Sequence, residues 1–386
     1  MFQIIPVKPT RLLTSLSAAA LALSVAACGG TDTTTQEPEA GGGETETAAA
    51  GNQIQLEGST TLNGAGASFP APLYQRWFQD ITQVYPDLRV NYQSVGSGAG
   101  VRQFTQGTVD FGASDVAMTD EEIQQVERGV LMLPMTAGAI VLAYNVPGVE
   151  TGLQLSRDVY TNILLGNITN WNDPAIAEAN PDADLPDLPI TVVHRSDGSG
   201  TTGVFTMHLS EISSDWEQQV GQGKTVDWPT GVGAKGNEGI TAQIQQTEGA
   251  VGYVEYGYAS ENGLSYASLE NSSGNFIEPN EESTSKTLEA VTLPDDLRAF
   301  ISDPEGEESY PVVTYTWMLA YEEYEDEAKA RAMEAMIQYG LTQGQEAAPE
   351  LGYISLPPNV REKVAQQADS IYPDYQIDVA QTAASN

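Results

Sequence analysis

The sequence has almost no cysteine, little positive charge and very little histidine. Cys28 is the only cysteine among 386 residues, which excludes an intramolecular disulfide and any cysteine-based metal site. The chain holds 16 Lys and Arg against 53 Asp and Glu, a net charge of −37, so no basic patch for nucleic acid can be assembled. The two histidines, His194 and His208, leave few candidates for a general base.

The strong acidity has two explanations that the sequence leaves open. Self-repulsion between like charges keeps a protein soluble. Alternatively, the protein works in salty water, where a Debye length of about 3 Å at 1 M screens the repulsion. Because net charge does not define a binding site, neither explanation predicts a ligand.

The N-terminal residues have the pattern of a secretory signal peptide. Lys8 and Arg11 provide positive charge, residues 12–27 are apolar or small, and Cys28 follows directly. We expect residues 1–27 to be removed, because the apolar stretch is too short and too rich in alanine to span a membrane. The small residues before Cys28 resemble a bacterial lipobox, which predicts lipidation of this cysteine. An ordinary signal with an incidental cysteine is the alternative.

Composition divides the remaining chain into a linker and a globular part. Residues 28–58 are rich in Thr, Glu, Gly and Ala and hold almost nothing that could form a core. They predict a disordered acidic tether that begins at the lipidated cysteine. About 330 residues follow from Ser59, more than one hydrophobic core usually serves, so the length predicts two lobes.

Short apolar runs alternate with helical patterns along the globular part. We expect strands near residues 88–92, 138–146, 190–193, 252–256 and 312–317. A helix should begin at Pro174, where Asp173 offers a cap, and another should occupy residues 322–340. This alternation predicts an α/β fold with largely parallel sheets. Ligands of such sheets bind beyond the carboxyl ends of the strands, where loops enter helices.

Four segments place glycine and small hydroxyl residues at predicted helix entrances: residues 64–72, 96–100, 110–115 and 194–202. A helix N-terminus offers unpaired N–H donors and a partial positive charge. Glycine lets the backbone approach an anion closely, and Ser or Thr adds a hydroxyl donor. Two or three such termini would form a site for a tetrahedral oxyanion, to which Arg195 could add one charge.

These segments resemble the periplasmic phosphate-binding protein family in order and spacing. The matching stretches are residues 64–72, 96–100, 109–115, 195–201, 236–240, 249–256 and 353–357. The resemblance implies a two-lobed periplasmic binding protein fold with a hinge, in which each lobe is a sheet flanked by helices. It places residues 59–138 and 260–386 in the first lobe and residues 139–259 in the second.

The resemblance also implies a set of ligand contacts. Phosphate should be held by Ser68, Phe69, Ser97, Asp115, Arg195, Ser199, Gly200 and Thr201. The serines and the threonine would donate hydroxyls, while Phe69 and Gly200 would donate backbone N–H groups. Asp115 would accept the proton of the phosphate, and Asp197 would orient Arg195. No catalytic residue, metal or cofactor is expected.

The family further implies delivery of phosphate to the membrane permease subunits of an ABC importer. We expect a monomer outside the cytoplasmic membrane, attached to a membrane only through its lipid anchor. Three other functions stay open: a binder of another oxyanion such as sulfate, a phosphatase-type enzyme using the same loops, and a surface phosphate sensor. A carboxylate-only metal site also stays possible in so acidic a chain.

Two proposed ligands have simpler interpretations. Asp115 precedes Thr119 and three acidic residues and could cap a helix instead of meeting a ligand. Arg195 and Asp197 could form a surface ion pair that contributes little.

Overall fold

The computed structural model describes residues 54–380 of the chain. The predicted signal peptide, Cys28 and residues 28–53 of the predicted tether lie outside the described residues. No helix within residues 54–380 has the length and apolar character needed to cross a membrane.

The described part of the chain holds twelve strands. They are β1 Thr60–Gly66, β2 Leu88–Ser94, β3 Phe111–Ser114, β4 Leu131–Tyr144, β5 Gln154–Leu155, β6 Thr191–Arg195, β7 Val232–Ala234, β8 Ala250–Glu255, β9 Ser265–Tyr266, β10 Ser268–Glu270, β11 Phe276–Ile277 and β12 Val313–Ala320.

Thirteen α-helices occur in the same residues. They are α1 Ala71–Val84, α2 Ser97–Thr105, α3 Asp120–Ile123, α4 Arg157–Leu164, α5 Pro174–Ala179, α6 Gly200–Ile212, α7 Ser214–Gln219, α8 Gly236–Gln246, α9 Tyr256–Glu261, α10 Glu281–Glu289, α11 Glu327–Leu341, α12 Ala347–Glu350 and α13 Pro358–Ala368.

One long strand, β4, divides the main sheet into two parts. The strand order is β2-β1-β3-β12-β4-β8-β6-β7, with β9 also paired to β4. β4 pairs with β12 as far as Ala139 and with β8 from Ile140 onward. The fold is therefore two-lobed: we call the β2-β1-β3-β12 side the first lobe and the β8-β6-β7 side the second lobe. A smaller sheet, β11-β10-β5, stands apart.

The strand directions correct one expectation. The pairs β1–β2, β1–β3, β6–β7 and β6–β8 are parallel, as the alternation of strands and helices predicts. However, β12 is antiparallel to both β3 and β4, and β4 is antiparallel to β8. The sheet is mixed, because the strands that join the two lobes return in the opposite direction. A hydrophobic pattern marks these strands as buried but does not encode their direction.

Most predicted elements occur close to their expected positions. β2, β4, β6, β8 and β12 overlap the five expected strands. Asp173 caps α5 by accepting from Ala175 N at 2.9 Å, and Pro174 is its first residue. The helix expected at 322–340 begins at Glu327, because Asp326 is the residue whose side chain caps it.

The sheet positions the candidate site through the ends of its parallel strands. The segments after β1, β2 and β3 carry Ser68, Ser97 and Asp115, and the segment after β6 carries Ser199. β1, β2 and β3 are mutually parallel, so their carboxyl ends lie at one edge.

Candidate functional site

The first lobe contributes the segment between β1 and α1. Ser68 and Phe69 are buried there, directly before Pro70 and α1. The carbonyl of Phe69 accepts from Tyr353 Oη at 2.6 Å, whereas its N–H meets no acceptor among residues 54–380. The Ser68 hydroxyl oxygen accepts two hydrogen bonds from Asn237, so its own hydrogen stays available for donation.

The N-terminus of α2 and the end of β3 complete the first-lobe side. Ser97 is the first residue of α2 and is fully buried. Gly96 precedes it with φ of 89°, a backbone conformation that glycine adopts without strain. Ser97 Oγ accepts from the N–H of Asp115 at 3.4 Å, which places the two predicted ligands side by side.

The second lobe contributes the turn between β6 and α6. Arg195 ends β6, and its N–H donates to Tyr253 Oη at 2.9 Å. Ser199 caps α6 by accepting from the N–H of Thr202 at 3.0 Å, which leaves its hydroxyl hydrogen free. Gly200 begins α6, and its N–H meets no acceptor among the described residues.

The two sets of residues touch across the cleft between the lobes. Thr201 Oγ1 donates to Asp115 Oδ2 at 3.2 Å, and Gly98 N donates to the Gly198 carbonyl at 2.8 Å. A Cβ on Gly200 would lie 2.5 Å from Ser97 Oγ, closer than any side chain permits. Glycine at this position is therefore what lets the α6 N-terminus approach the first lobe.

Arg195 and Asp197 form a buried ion pair. Arg195 Nε and Nη2 donate to Asp197 Oδ1 and Oδ2 at 2.8 and 2.6 Å, and the side chains are 1% and 11% exposed. Gly236 N donates to the same carboxylate. Burial by itself raises the pKa of Asp197, but the hydrogen bonds and charge of Arg195 outweigh burial and lower it. Two bonds to one carboxylate fix the plane of the guanidinium, whose Nη1 contacts Thr201 Oγ1 at 3.4 Å.

Asp115 is also buried but forms no ion pair with a Lys or Arg among residues 54–380. Its carboxylate accepts from Thr316 Oγ1 at 3.0 Å and from Thr201 Oγ1. Burial raises the pKa of Asp115 to about 7, although the Thr316 hydrogen bond and the nearby charge of Arg195 lower it. This carboxyl group can therefore either donate or accept a proton near neutral pH.

The structure corrects the two simpler interpretations. Asp115 does not cap the following helix, because Thr119 caps α3 and forms a capping box with Glu122. The pair of Arg195 and Asp197 is not on the surface, since both side chains are largely shielded from solvent.

Two buried residues at the site were not predicted as site residues. The side-chain amide of Asn237, near the start of α8, donates to Ser68 Oγ and to Thr201 Oγ1, and its Oδ1 accepts from Glu255 N. Thr316, on β12, holds one oxygen of Asp115. Asn237 lies in the stretch 236–240 that matched the family, which was the available signal. Thr316 lies in an apolar strand, and no feature of the neighbouring sequence marks it as a site residue.

The histidines lie outside the cluster of hydroxyl groups. His208 Nε2 contacts Tyr160 Oη at 2.7 Å, and its Nδ1 contacts the Ser302 carbonyl. The His194 ring stacks on Trp228, with a ring-centroid distance of 5.1 Å. Neither ring contacts a hydroxyl group of the site. Within residues 54–380, no group of three or more His, Cys, Asp or Glu side chains is arranged to hold a metal ion.

Comparison with known proteins agrees with the fold. A sequence profile described as a PBP superfamily domain matches residues 38–341. The chain is 42% identical over 310 residues to the phosphate-binding protein PstS of Pasteurella multocida, covering 80% of this chain and 89% of that protein. It is 39% identical over 312 residues to the phosphate-binding protein PstS of Haemophilus influenzae, covering 80% and 92%.

A solved structure has the same fold at low sequence identity. The periplasmic phosphate-binding protein PfluDING, bound with phosphate, superposes with a TM-score of 0.66 at 19% identity, covering 80% of this chain and 93% of that one. Fold and site thus define a two-lobed binding protein with polar loops facing each other across a cleft. The chain belongs to the PBP superfamily and, within it, to the family of the PstS phosphate-binding proteins.

Proposed function

We propose that the protein binds inorganic phosphate between its lobes and delivers it to an ABC phosphate importer. The observation that carries this proposal is the convergence of unpaired donors from two helix N-termini, α2 and α6, beside Arg195 and Asp115. Such donors suit a tetrahedral oxyanion because they supply hydrogen bonds and partial positive charge without a large net charge. The names of the relatives agree with this ligand.

The proposed contacts divide by chemical type. Four hydroxyl groups would donate to phosphate oxygens, those of Ser68, Ser97, Ser199 and Thr201, and the hydroxyl of Thr201 would turn from Asp115 Oδ2 to do so. Phe69 and Gly200 would donate through the free N–H groups described above. Arg195 would add the one full positive charge, held in orientation by Asp197. Asp115 would accept a hydrogen bond from the protonated phosphate oxygen.

Closure of the lobes forms part of the proposal. The proposed ligands divide between the loops after β1–β3 and the loop after β6, so phosphate would bridge the lobes and favour the closed form. We assign residues 59–138 to the first lobe and 139–259 to the second. Residues 265–277, which were expected in the first lobe, pair through β9 and β10 with β4 and β5, so we place the second crossing after residue 277.

Two alternative functions receive less support from the site. A phosphatase would need a base beside a serine, and both histidine rings are engaged elsewhere. A sulfate binder would have to place a fully ionised anion against the carboxyl group of Asp115, with no ligand proton to pair them. We therefore propose a phosphate binder that is not an enzyme and uses no cofactor.

The cellular setting is an inference from the sequence. We propose that Cys28 is lipidated after removal of residues 1–27. Of the tether expected at 28–58, Ile54 is buried in the core, so we propose that residues 28–53 tether a monomeric binding protein outside the cytoplasmic membrane. Its partners would be the membrane permease subunits of the importer. Labelling with a fatty acid should mark the protein but not Cys28→Ser, and equal labelling of both would contradict the anchor.

Calorimetry and scattering test the binding function. Titration of the purified protein with phosphate should give saturable binding at one site, and a large excess of sulfate should not displace it. Small-angle scattering should show a smaller radius of gyration with phosphate. A chromogenic phosphate ester, with and without divalent metals, should not be hydrolysed. No heat of binding with phosphate would contradict the proposed function.

A further inference from the structure

An ion pair crosses the cleft beside the proposed site. Lys224 Nζ, in the second lobe, lies 2.8 Å from Glu122 Oε1 and 3.1 Å from Oε2, in the first lobe. The two side chains are 20% and 31% exposed, so solvent screens the pair only in part. Within residues 54–380 it is the one ion pair between residues 59–138 and residues 139–259, and a further pair, Arg157 with Asp303, joins the second lobe to the C-terminal part of the first.

The lysine is attached directly to the α6 side of the site. The Lys224 carbonyl accepts from Ser199 N at 2.8 Å. Ser199 is the cap of α6, whose first residues are Gly200 and Thr201. Because of this backbone bond, the position of Lys224 follows the position of the loop that carries the second-lobe donors.

Two hydrogen bonds hold Glu122 in place on the first lobe. Glu122 Oε2 accepts from Thr119 N at 3.0 Å, and Thr119 Oγ1 accepts from Glu122 N at 3.2 Å. This capping box starts four residues after Asp115. Beside it the lobes touch, since a Cβ on Gly203 would lie 2.8 Å from Val116 Cγ2.

Closure has an electrostatic cost that this pair offsets. Residues 59–138 hold four Lys and Arg against eight Asp and Glu, and residues 139–259 hold four against 15. Bringing two negative lobes together is unfavourable, most of all at low ionic strength. An attractive contact made only between the lobes stabilises the closed form relative to the open one.

We propose that Lys224 and Glu122 form a latch that holds the closed form and sets the rate of phosphate release. Neither residue needs to touch phosphate for this role. The latch rests on the proposed function, because it acts on the lobe closure that phosphate binding requires. It adds to that function a pair of residues outside the proposed ligand contacts that determines how long phosphate stays bound.

Two single variants with opposite charge changes test the latch. Phosphate release is measured by stopped flow and affinity by calorimetry, for the full protein at low ionic strength. Lys224→Gln makes the protein more negative, and Glu122→Gln makes it less negative but keeps the capping box, since Gln serves at that position. Both should release phosphate about threefold to fivefold faster, as expected for a partly exposed ion pair.

The charge changes separate a latch from a long-range field. If only net charge mattered, the two variants would shift phosphate binding in opposite directions, whereas loss of a latch shifts both in the same direction. Lys286→Gln is the matched control, because Lys286 pairs with Glu289 on its own helix and its loss changes the net charge as Lys224→Gln does. The control should release phosphate at the wild-type rate. The double variant should release no faster than either single variant.

The outcomes are distinguishable. Release rates of both single variants within 1.5-fold (about 0.2 kcal/mol) of wild type, or changes of opposite sign, would overturn the latch while phosphate binding stands. Should Lys224→Gln fail to fold, Glu122→Gln alone decides, by faster or unchanged release. A wild-type protein that takes up no phosphate would overturn the proposed function and the latch with it.

Discussion

Two carboxylates on opposite sides of the cleft, Asp115 fully buried and Asp197 partly buried, behave in opposite ways. Asp197, in the second lobe, accepts two hydrogen bonds from Arg195, and its pKa is lowered. Asp115, in the first lobe, is held by hydroxyl groups alone, and burial raises its pKa to about 7. Burial raises the pKa of both groups, so the opposite net shifts come from their partners. A direct cation partner offsets desolvation, and hydroxyl donors offset it only in part.

This difference indicates that the two carboxylates have different roles. Asp197 stays ionised and orients Arg195, whereas Asp115 can gain or lose a proton near neutral pH. Above about pH 7, where Asp115 is ionised, a ligand that carries its own proton can pair with this carboxylate and a ligand without one cannot. The predictions below alter one carboxylate or its partner at a time.

Loss of Arg195 should have the largest effect. Arg195→Gln removes the positive charge from the site and leaves the Asp197 carboxylate buried without its partner. We expect phosphate affinity to fall at least a hundredfold, or about 3 kcal/mol. Calorimetry measures the loss, with circular dichroism to verify folding. Arg195→Lys should recover little, since lysine cannot donate two parallel bonds to one carboxylate. A loss of less than tenfold would contradict the role of Arg195.

Asp115 should make the unliganded protein less stable as pH rises. Its raised pKa means that the folded chain keeps a proton that the unfolded chain, with an ordinary pKa, releases. This contribution is therefore most favourable below about pH 4, declines as pH rises from about 4 to 7, and changes no further above pH 7. At pH 8, Asp115→Asn should be more stable than wild type by about 3 kcal/mol.

Urea unfolding at pH 4.5 and pH 8, without phosphate, measures this difference. The gain in Asp115→Asn should shrink at the lower pH. An equal effect of the substitution at both pH values would show that Asp115 has an ordinary pKa.

Ligand selectivity should change when Asp115 becomes neutral. At pH 8 Asp115 is ionised in the unliganded protein and sulfate carries no proton, so sulfate beside this carboxylate leaves two acceptors of like charge unpaired. In Asp115→Asn the amide can turn and donate to sulfate, while the carbonyl can still accept the proton of phosphate. We expect sulfate affinity to rise at least tenfold, about 1.4 kcal/mol, with a smaller change for phosphate. Competition titrations decide this, and a variant that still rejects sulfate would assign selectivity to site geometry.

Removal of the charge on Asp197 should have the smallest effect. It should lower the stability of the folded protein, whereas Asp115→Asn should raise it. In Asp197→Asn the amide oxygen still accepts one bond from Arg195, so the cost at pH 8 should be about 1 kcal/mol of stability. Because the pKa of Asp197 is lowered in the folded state, its contribution is present above the ordinary pKa and is lost as pH falls below about 4. Urea unfolding at pH 8 and pH 3.5 tests this, and an equal loss at both would contradict it.

Much of the secondary structure was predictable because local patterns encode it. The apolar runs located β4 and β12, and the pair Asp173 and Pro174 marked the start of α5. The sheet direction was not predictable in the same way. The residue pattern of β12 predicts a buried strand but not its direction. Its antiparallel direction is visible only in its pairing with β3 and β4.

The candidate site was predictable to the extent that it consists of glycine and hydroxyl residues at helix entrances. Asn237 stood in a matching stretch but had no local feature that marks a contact with Ser68. Thr316 is separated from Asp115 by about 200 residues of chain and meets it only because β12 returns beside β3. Pairwise contacts of this kind depend on the folded sheet.

The residue pattern was enough to locate the loops that carry the donors and to place Arg195 near Asp197, because two residues of separation after a strand keep those side chains close. The burial of Asp115 away from any cation among the described residues, and the contact of Lys224 with Glu122, depend on how the lobes pack. The reason is physical: ionisation and ion pairing depend on solvent exposure and on distances between segments. Both are set when the lobes pack together, since the residue types alone fix neither.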